Sequence, residues 1–354
     1  MFISCGGGDG GGGESGSDDG DIPNYLCFTA NENNCRLSMI VSVSSYPHDF
    51  NPPVIEYSTD GNKWTVFSTI EPFTVISFQN AGEKVYFRGN NTTFSSSDEK
   101  YSFMTQDGSF KVSGNIMSLL DKSLKSKIIP SDWCFSMLFD SCDIISAPEL
   151  PATVLSDNCY FSMFRACSNL VKAPALPALT LAEECYSCMF AYCSSLIATP
   201  ELPATILVNS CYQSMFLGCT SLTEVQSLPA DIMARYCYGS MFALCSSLTS
   251  TPELPAINLA EGCYFDMFEG CTGLASAPVL PAAVLKDDCY RSMFHGCERL
   301  KSITVGFLNW NGATDATFGW VEGVDDTGTF RCPAGLAEET GVDRIPSGWT
   351  KINL

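Results

Sequence analysis

Cysteines are the residues of this 354-residue chain most able to do chemistry, and nineteen are present. Fourteen of them fall into two interleaved series. The first is Cys134, Cys159, Cys185, Cys211, Cys237, Cys263 and Cys289, and the second is Cys142, Cys167, Cys193, Cys219, Cys245, Cys271 and Cys297. The interval is 26 residues, with one 25-residue step at the first repeat. Two cysteines eight helical residues apart stand about 12 Å apart along the axis, which is more than a disulfide spans. Spacings of 8 and 18 also miss the paired short spacing of structural zinc. Cys185-Tyr-Ser-Cys188 is a lone CxxC in which Cys188 replaces the serine of most repeats. The series are therefore read as small apolar residues packing in register. Disulfides between adjacent turns are sterically conceivable in the second series, but its seven members cannot all pair.

Other reactive groups are sparse. The two histidines, His48 and His295, stand in no metal-ligand spacing, and no nucleophile motif, phosphate loop or carboxylate pair is evident. Glu149, Glu201 and Glu253 recur once per two repeats. In stacked turns they would lie roughly 10 Å apart, too far to share one cation, and they read as a solubilising row. No catalytic residue, no metal and no cofactor are expected, and an enzyme is not. A net charge of −20 argues against nucleic-acid and anionic-membrane partners, since phosphate binding needs a basic patch. No run of 18 apolar residues exists to span a bilayer.

The cysteines belong to a unit that reads Cys-Tyr-x-x-Met-Phe-x-x-Cys-x-x-Leu, then a proline, then Leu-Pro-Ala-x-x-Leu. Cys159, Tyr160, Met163, Phe164 and Cys167 sit at offsets 0, 1, 4, 5 and 8, the stripe of a helix. Leu170 to Leu176 then predicts a strand that stops at Pro177. Seven such units predict an α/β solenoid over 134–305, leucine-rich-repeat-like in form. Its internal ladder is the second cysteine series together with Phe164, Phe190, Phe216, Phe242, Phe268 and Phe294.

The block Met-Phe-x-x-Cys-x-x-Leu followed by Leu-Pro-Ala resembles the BspA-type leucine-rich repeats of Bacteroides-like surface proteins, whose usual core is Ala-Phe-x-x-Cys-x-x-Leu with a following Ile-Pro. The match recurs seven times, from Cys134 to about Val305. It departs in having Met where Ala is usual and in a longer unit with an added proline. The resemblance implies a helix–strand repeat fold and a non-enzymatic surface protein that adheres to host extracellular-matrix proteins or to other bacteria.

Around the repeats, four further segments are expected. Residues 1–23 hold Phe2-Ile3-Ser4-Cys5 and a Gly-rich run with acidic and no basic residues, a flexible solvated tether. The motif looks like the end of a bacterial lipoprotein signal, with Cys5 as the lipid attachment site. No basic or apolar segment precedes Cys5, so the expectation is a coding start further upstream and a lipid-anchored place on the outer-membrane surface. The alternative is a disordered cytoplasmic tail. Residues 24–112 predict a small all-β sandwich, with strands at 25–29, 36–43, 54–57, 64–67, 73–78, 84–87 and 109–112 and a turn at Asp60-Gly61-Asn62. The stretch from Tyr57 to Asn90 resembles the N-terminal module that often precedes such repeats. Residues 113–133 form a linker whose Met117, Leu120, Leu124 and Ile128 cover the first repeat. Residues 306–354 predict a β-rich cap.

Surface positions that change from turn to turn mark the expected ligand face: Val171, Lys172, Ile197, Ala198, Thr223, Glu224, Thr249, Ser250, Ala275 and Ser276. Mixed small and polar residues suit a broad protein contact better than a deep pocket. Arg165, Leu217 and Glu269 on the helix side vary too, so that face stays open. The expected partner is an extracellular protein. The alternative is a glycan held by the N-terminal domain, with Trp64, Tyr86 and Phe87 as a sugar-stacking platform or as core aromatics.

Overall fold

The structure, a computed structural model, describes residues 22–43, 52–69 and 73–354. Cys5, its Gly-rich neighbours and His48 lie outside the described residues. The chain opens with β1 (Leu26–Ala30), β2 (Arg36–Val43), β3 (Ile55–Ser58), β4 (Thr65–Phe67), β5 (Ile76–Ser77), β6 (Lys84–Gly89), β7 (Glu99–Gln106) and β8 (Phe110–Ser113). They form two sheets, β4-β3-β6-β1-β8 and β5-β2-β7, and the first runs on into β9 (Ile144–Ser146) of the first repeat. Phe28, Phe87 and Phe103 lock the sheets face to face at centroid distances of 4.8–5.7 Å. Asp60 turns β3 into β4 by accepting from the amides of Asn62 and Lys63. Strand β7 escaped the sequence reading although it pairs with β2 over eight residues. Its first five residues are all buried, the polar Glu99, Lys100 and Ser102 among them, because its far side meets the first repeat, so the alternation of burial in a surface strand is missing.

The expected α/β solenoid does not form. Among the described residues there is no α-helix, only a short 3₁₀ turn at Ile116–Leu119. The segment read as a helix is a train of linked four-residue turns. In the second repeat the amides of Phe161, Met163, Arg165 and Cys167 bond three residues back, to Asn158, Tyr160, Ser162 and Phe164 (3.1–3.2 Å). The amides between them, from Tyr160, Ser162, Phe164 and Ala166, bond instead to Cys185, Ser187, Met189 and Ala191 of the next repeat (2.7–3.0 Å). Every fourth residue turns left-handed: Asn158 (φ 57°), Ser162 (53°) and Ala166 (57°), then Glu184, Cys188 and Tyr192, and so on. An α-helix would spend every amide inside the coil. Here half of them tie successive coils together. A non-glycine residue costs about 1 kcal/mol in the left-handed region. Each such step is matched by inter-coil bonds worth a net of about 1 kcal/mol apiece.

The strand half of the unit is corrected as well. In the interior coils it shrinks to single parallel bridges, Lys172–Ala198–Glu224 and Ile206–Ile232–Asn258. Pro174 and Pro177, repeated as Pro200 and Pro203, and Pro252 and Pro255, carry no amide hydrogen and interrupt any longer ladder. A true parallel sheet appears only at the C-terminal end, as β10 (Val279–Leu280), β11 (Ser302–Val305), β12 (Thr329–Cys332) and β13 (Thr350–Asn353).

Stacking aligns the aromatic residues into two buried columns. Phe139, Phe164, Phe190, Phe216, Phe242, Phe268 and Phe294 follow one another at 5.3–6.0 Å with planes within 12°. Tyr160, Tyr186, Tyr212, Tyr238, Tyr264 and Tyr290 do the same at 5.8–6.1 Å. Both ends are covered. Phe103 of β7 stacks on Phe139 at 5.6 Å, and β7 donates from Phe103 N to Leu138 O, so the sheets themselves cap the first coil beside the linker. At the other end residues 315–323 form one more coil without cysteines, its left-handed steps at Asp315, Gly319 and Gly323. Its Trp320 terminates both columns.

Candidate functional site

The cysteine ladders are wholly internal. Every described ladder thiol is free and buried. In the second series, Cys142 donates to the Phe103 carbonyl of β7 (2.9 Å), and each later thiol to the phenylalanine carbonyl one coil back: Cys167 to Phe139, Cys193 to Phe164, Cys219 to Phe190, Cys245 to Phe216, Cys271 to Phe242 and Cys297 to Phe268, at 3.0–3.2 Å. The side chain is thus a compact donor as well as a filler, which spacing alone did not reveal. Burial pushes these thiols up, to about 12 at Cys193 and Cys271, and a protonated thiol is a poor nucleophile. Cys188 is the partly exposed exception. Alkylation of the native chain is therefore expected to leave the fourteen ladder positions unmodified, and alkylation after denaturation without reductant to modify them. Recovery of ladder cysteines in crosslinked peptides by mass spectrometry would contradict this.

No group of three or more His, Cys, Asp or Glu side chains among the described residues has metal-holding geometry. His295 stands between Glu269 (3.4 Å) and Glu322 (3.9 Å), partly exposed. Asp266 beside them is raised to about 6 by burial and by the Glu269 charge. The N-terminal aromatics divide. Tyr86 and Phe87 are buried, and Trp64 lies under the Arg88 guanidinium, 3.8 Å from its ring centroid, with Tyr25 against its edge. Two of the three rings are inside the protein and the third is occupied on one face. The guanidinium is held there by Glu56, which also pairs with Lys122.

The row of variable residues lies on the outside of the coil stack. Val171, Lys172, Ile197, Thr223, Glu224, Thr249, Ser250, Ala275 and Ser276 are exposed and Ala198 is half-buried. Lys172, Ala198 and Glu224 are brought side by side by the parallel bridges. On the turn side, Arg165 is tied to Asp140 at 2.8 Å, while Leu217 and Glu269 are half-buried. Sequence reasoning missed what adjoins the exposed row. Lys172, Thr199 and Gln226 open onto a cleft of about 560 Å³ walled by Pro174, Pro177, Pro200 and Pro203, with Glu201 at its rim. A second cleft of about 370 Å³ repeats the arrangement with Pro252, Glu253, Pro255, Pro278 and Pro281. Glu201 and Glu253, read as part of a solubilising row, thus each line a cleft, Glu201 on the wall of its later coil and Glu253 on the wall of its earlier one. The regular Pro-x-Leu-Pro spacing was the available signal.

The geometry is that of a stack of turn-built coils closed by β-sheets, with the ladder cysteines inside and a repeated, shallow outer face. Comparison of the chain with protein-family models, with curated proteins and with solved structures gives no match. No helix among the described residues is long and apolar enough to cross a membrane.

Proposed function

We propose that this chain is a non-enzymatic recognition protein of a bacterial surface, held by lipid at Cys5 and binding another protein through the exposed row of its coil stack. One observation carries the reading. Five successive coils place the same two positions at the surface from Val171 to Ser276, varying from coil to coil and exposed at all but half-buried Ala198, and parallel bridges align the first three. Such a face, broad and shallow with mixed small, polar and aliphatic residues, suits a protein surface. The resemblance to BspA-type repeats supports adhesion to matrix proteins or to other bacteria. The reactive side chains are sequestered, and the clefts are open grooves without convergent catalytic groups.

The test is binding of the purified chain to immobilised extracellular-matrix proteins and to whole bacterial cells. The double variant Lys172→Glu with Glu224→Arg should bind about tenfold more weakly, as reversal of charges at an interface does, with an unchanged melting temperature. Full retention of binding by that variant, together with its loss on substituting Trp64, would move the site to the N-terminal sheets and a glycan.

A further inference from the structure

The proline edge beside the exposed row is built differently from the rest of the coil. Over residues 174–178, 200–204 and 252–256 no backbone N–H or C=O is hydrogen-bonded to a neighbouring coil. The cause is local. Proline takes the donor from two positions in every five, so adjacent coils cannot zip there. What remains is a pair of shallow grooves with pyrrolidine walls and unpaired main-chain groups at the exposed Ala175, Glu201 and Glu253. Main-chain groups left open along an extended groove are the complement of another extended chain.

The charges along this edge say what kind of chain. Just after the first proline, or after Gln226 in the coil that lacks it, the coils carry, in order, Glu149, Ala175, Glu201, Ser227, Glu253 and Val279, all exposed. Glu201 and Glu253 form no ion pair, whereas the Glu149 edge is already bonded to Gly114 and Ile116 and its carboxylate accepts from the Asn24 amide. Lys172 is the single cation lining either cleft. Rings in successive coils lie 5.3–6.0 Å apart, so carboxylates on alternate coils are separated by roughly 10–12 Å. A polyproline-type chain advances about 3.1 Å per residue and returns to one face every third residue. Cationic side chains three residues apart, about 9 Å along such a chain, fall within reach of this row.

We infer that the proline edge binds an extended, cationic peptide segment of the partner protein that crosses the coils, its Lys or Arg side chains on Glu201 and Glu253. This rests on the protein-recognition reading and specifies its ligand.

The experiment is fluorescence anisotropy of the full chain with labelled (Pro-Pro-Lys)₅ and, as counterpart, (Pro-Pro-Glu)₅. The lysine peptide should bind and the glutamate peptide should not, and binding should fall steeply as salt is raised from 50 to about 500 mM. The variant Glu201→Lys with Glu253→Lys should weaken binding about tenfold or more. The variant Glu183→Lys with Glu298→Lys carries the same change of net charge on exposed residues outside the clefts and should bind within about twofold of the parent. Absence of lysine-peptide binding, or equal losses in the two variants, overturns the inference. If the peptide fails while matrix-protein binding still depends on Lys172 and Glu224, the inference alone is lost. If the peptide binds and no protein or cell does, it is the recognition function that fails.

Discussion

Raising the pH from 8 to 10 under reducing conditions should unfold the coil stack completely. An unfolded cysteine titrates near 8.5, whereas burial holds the ladder thiols far higher, to about 12 at Cys134, Cys237 and Cys289. The folded state therefore keeps protons that the unfolded state releases. Stability from this source is fully present below the unfolded pKa and is lost as pH rises toward the folded one. Each thiol removes about 1.4 kcal/mol per pH unit in that window. Fourteen acting together remove roughly 19 kcal/mol per unit, against a typical total of about 5–15 kcal/mol. The buried tyrosine hydroxyls, also raised by burial, add to the loss above about pH 10. Circular dichroism should show a flat stability up to about pH 8 and a cooperative collapse before pH 10, reversed on acidification. A chain still folded at pH 11 would mean that the thiols are not sealed from water as the structure has them.

The second large effect is expected from one ring. Phe216 lies between Phe190 and Phe242, at 5.6 and 5.7 Å and within 6° of parallel to each, and is fully buried. Phe216→Ala should cost about 3–5 kcal/mol through lost burial and a residual cavity. The loss falls on both neighbours, because the column is continuous. Gln213, in the same coil, is half-buried, so Gln213→Ala should stay within about 0.5 kcal/mol. Denaturant titration of the two variants compares them directly. Similar midpoints would show that the column does not hold the coils together.

The two predictions share a physical origin. A solenoid coil touches only its neighbours, so any property repeated in every coil is multiplied by their number. A thiol at one position shifts an alkaline midpoint slightly, and fourteen in two files set it. Likewise, one Glu on the proline edge is a solvated carboxylate, and Glu201 and Glu253 on alternate coils are the pattern that the proposed cationic peptide would meet.

The sequence by itself determined the period, the register and the inward-facing set. Cysteine spacing identified the coil, and the residues named as its ladder are the buried ones. The outward row from Val171 to Ser276 could be read because variation from repeat to repeat shows where packing does not constrain. The conformation of the coil was decided only in the tertiary structure. Offsets 0, 1, 4, 5 and 8 fit a helix and a four-residue train of turns alike, since the two periods drift apart by only about 80° over eight residues. Ser162, Gly218, Gly270, Gly296, Asn158 and Asp288, at every fourth place, favour left-handed steps, but that preference is weak in one unit. The train prevails because half of its amides need acceptors on the next coil, and those exist only once the coils are stacked. Strand β7 was hidden for a related reason, being covered on one side by a sheet and on the other by the first coil. The clefts likewise needed two coils side by side, since a proline's missing amide opens a groove only where a neighbour would have been bonded.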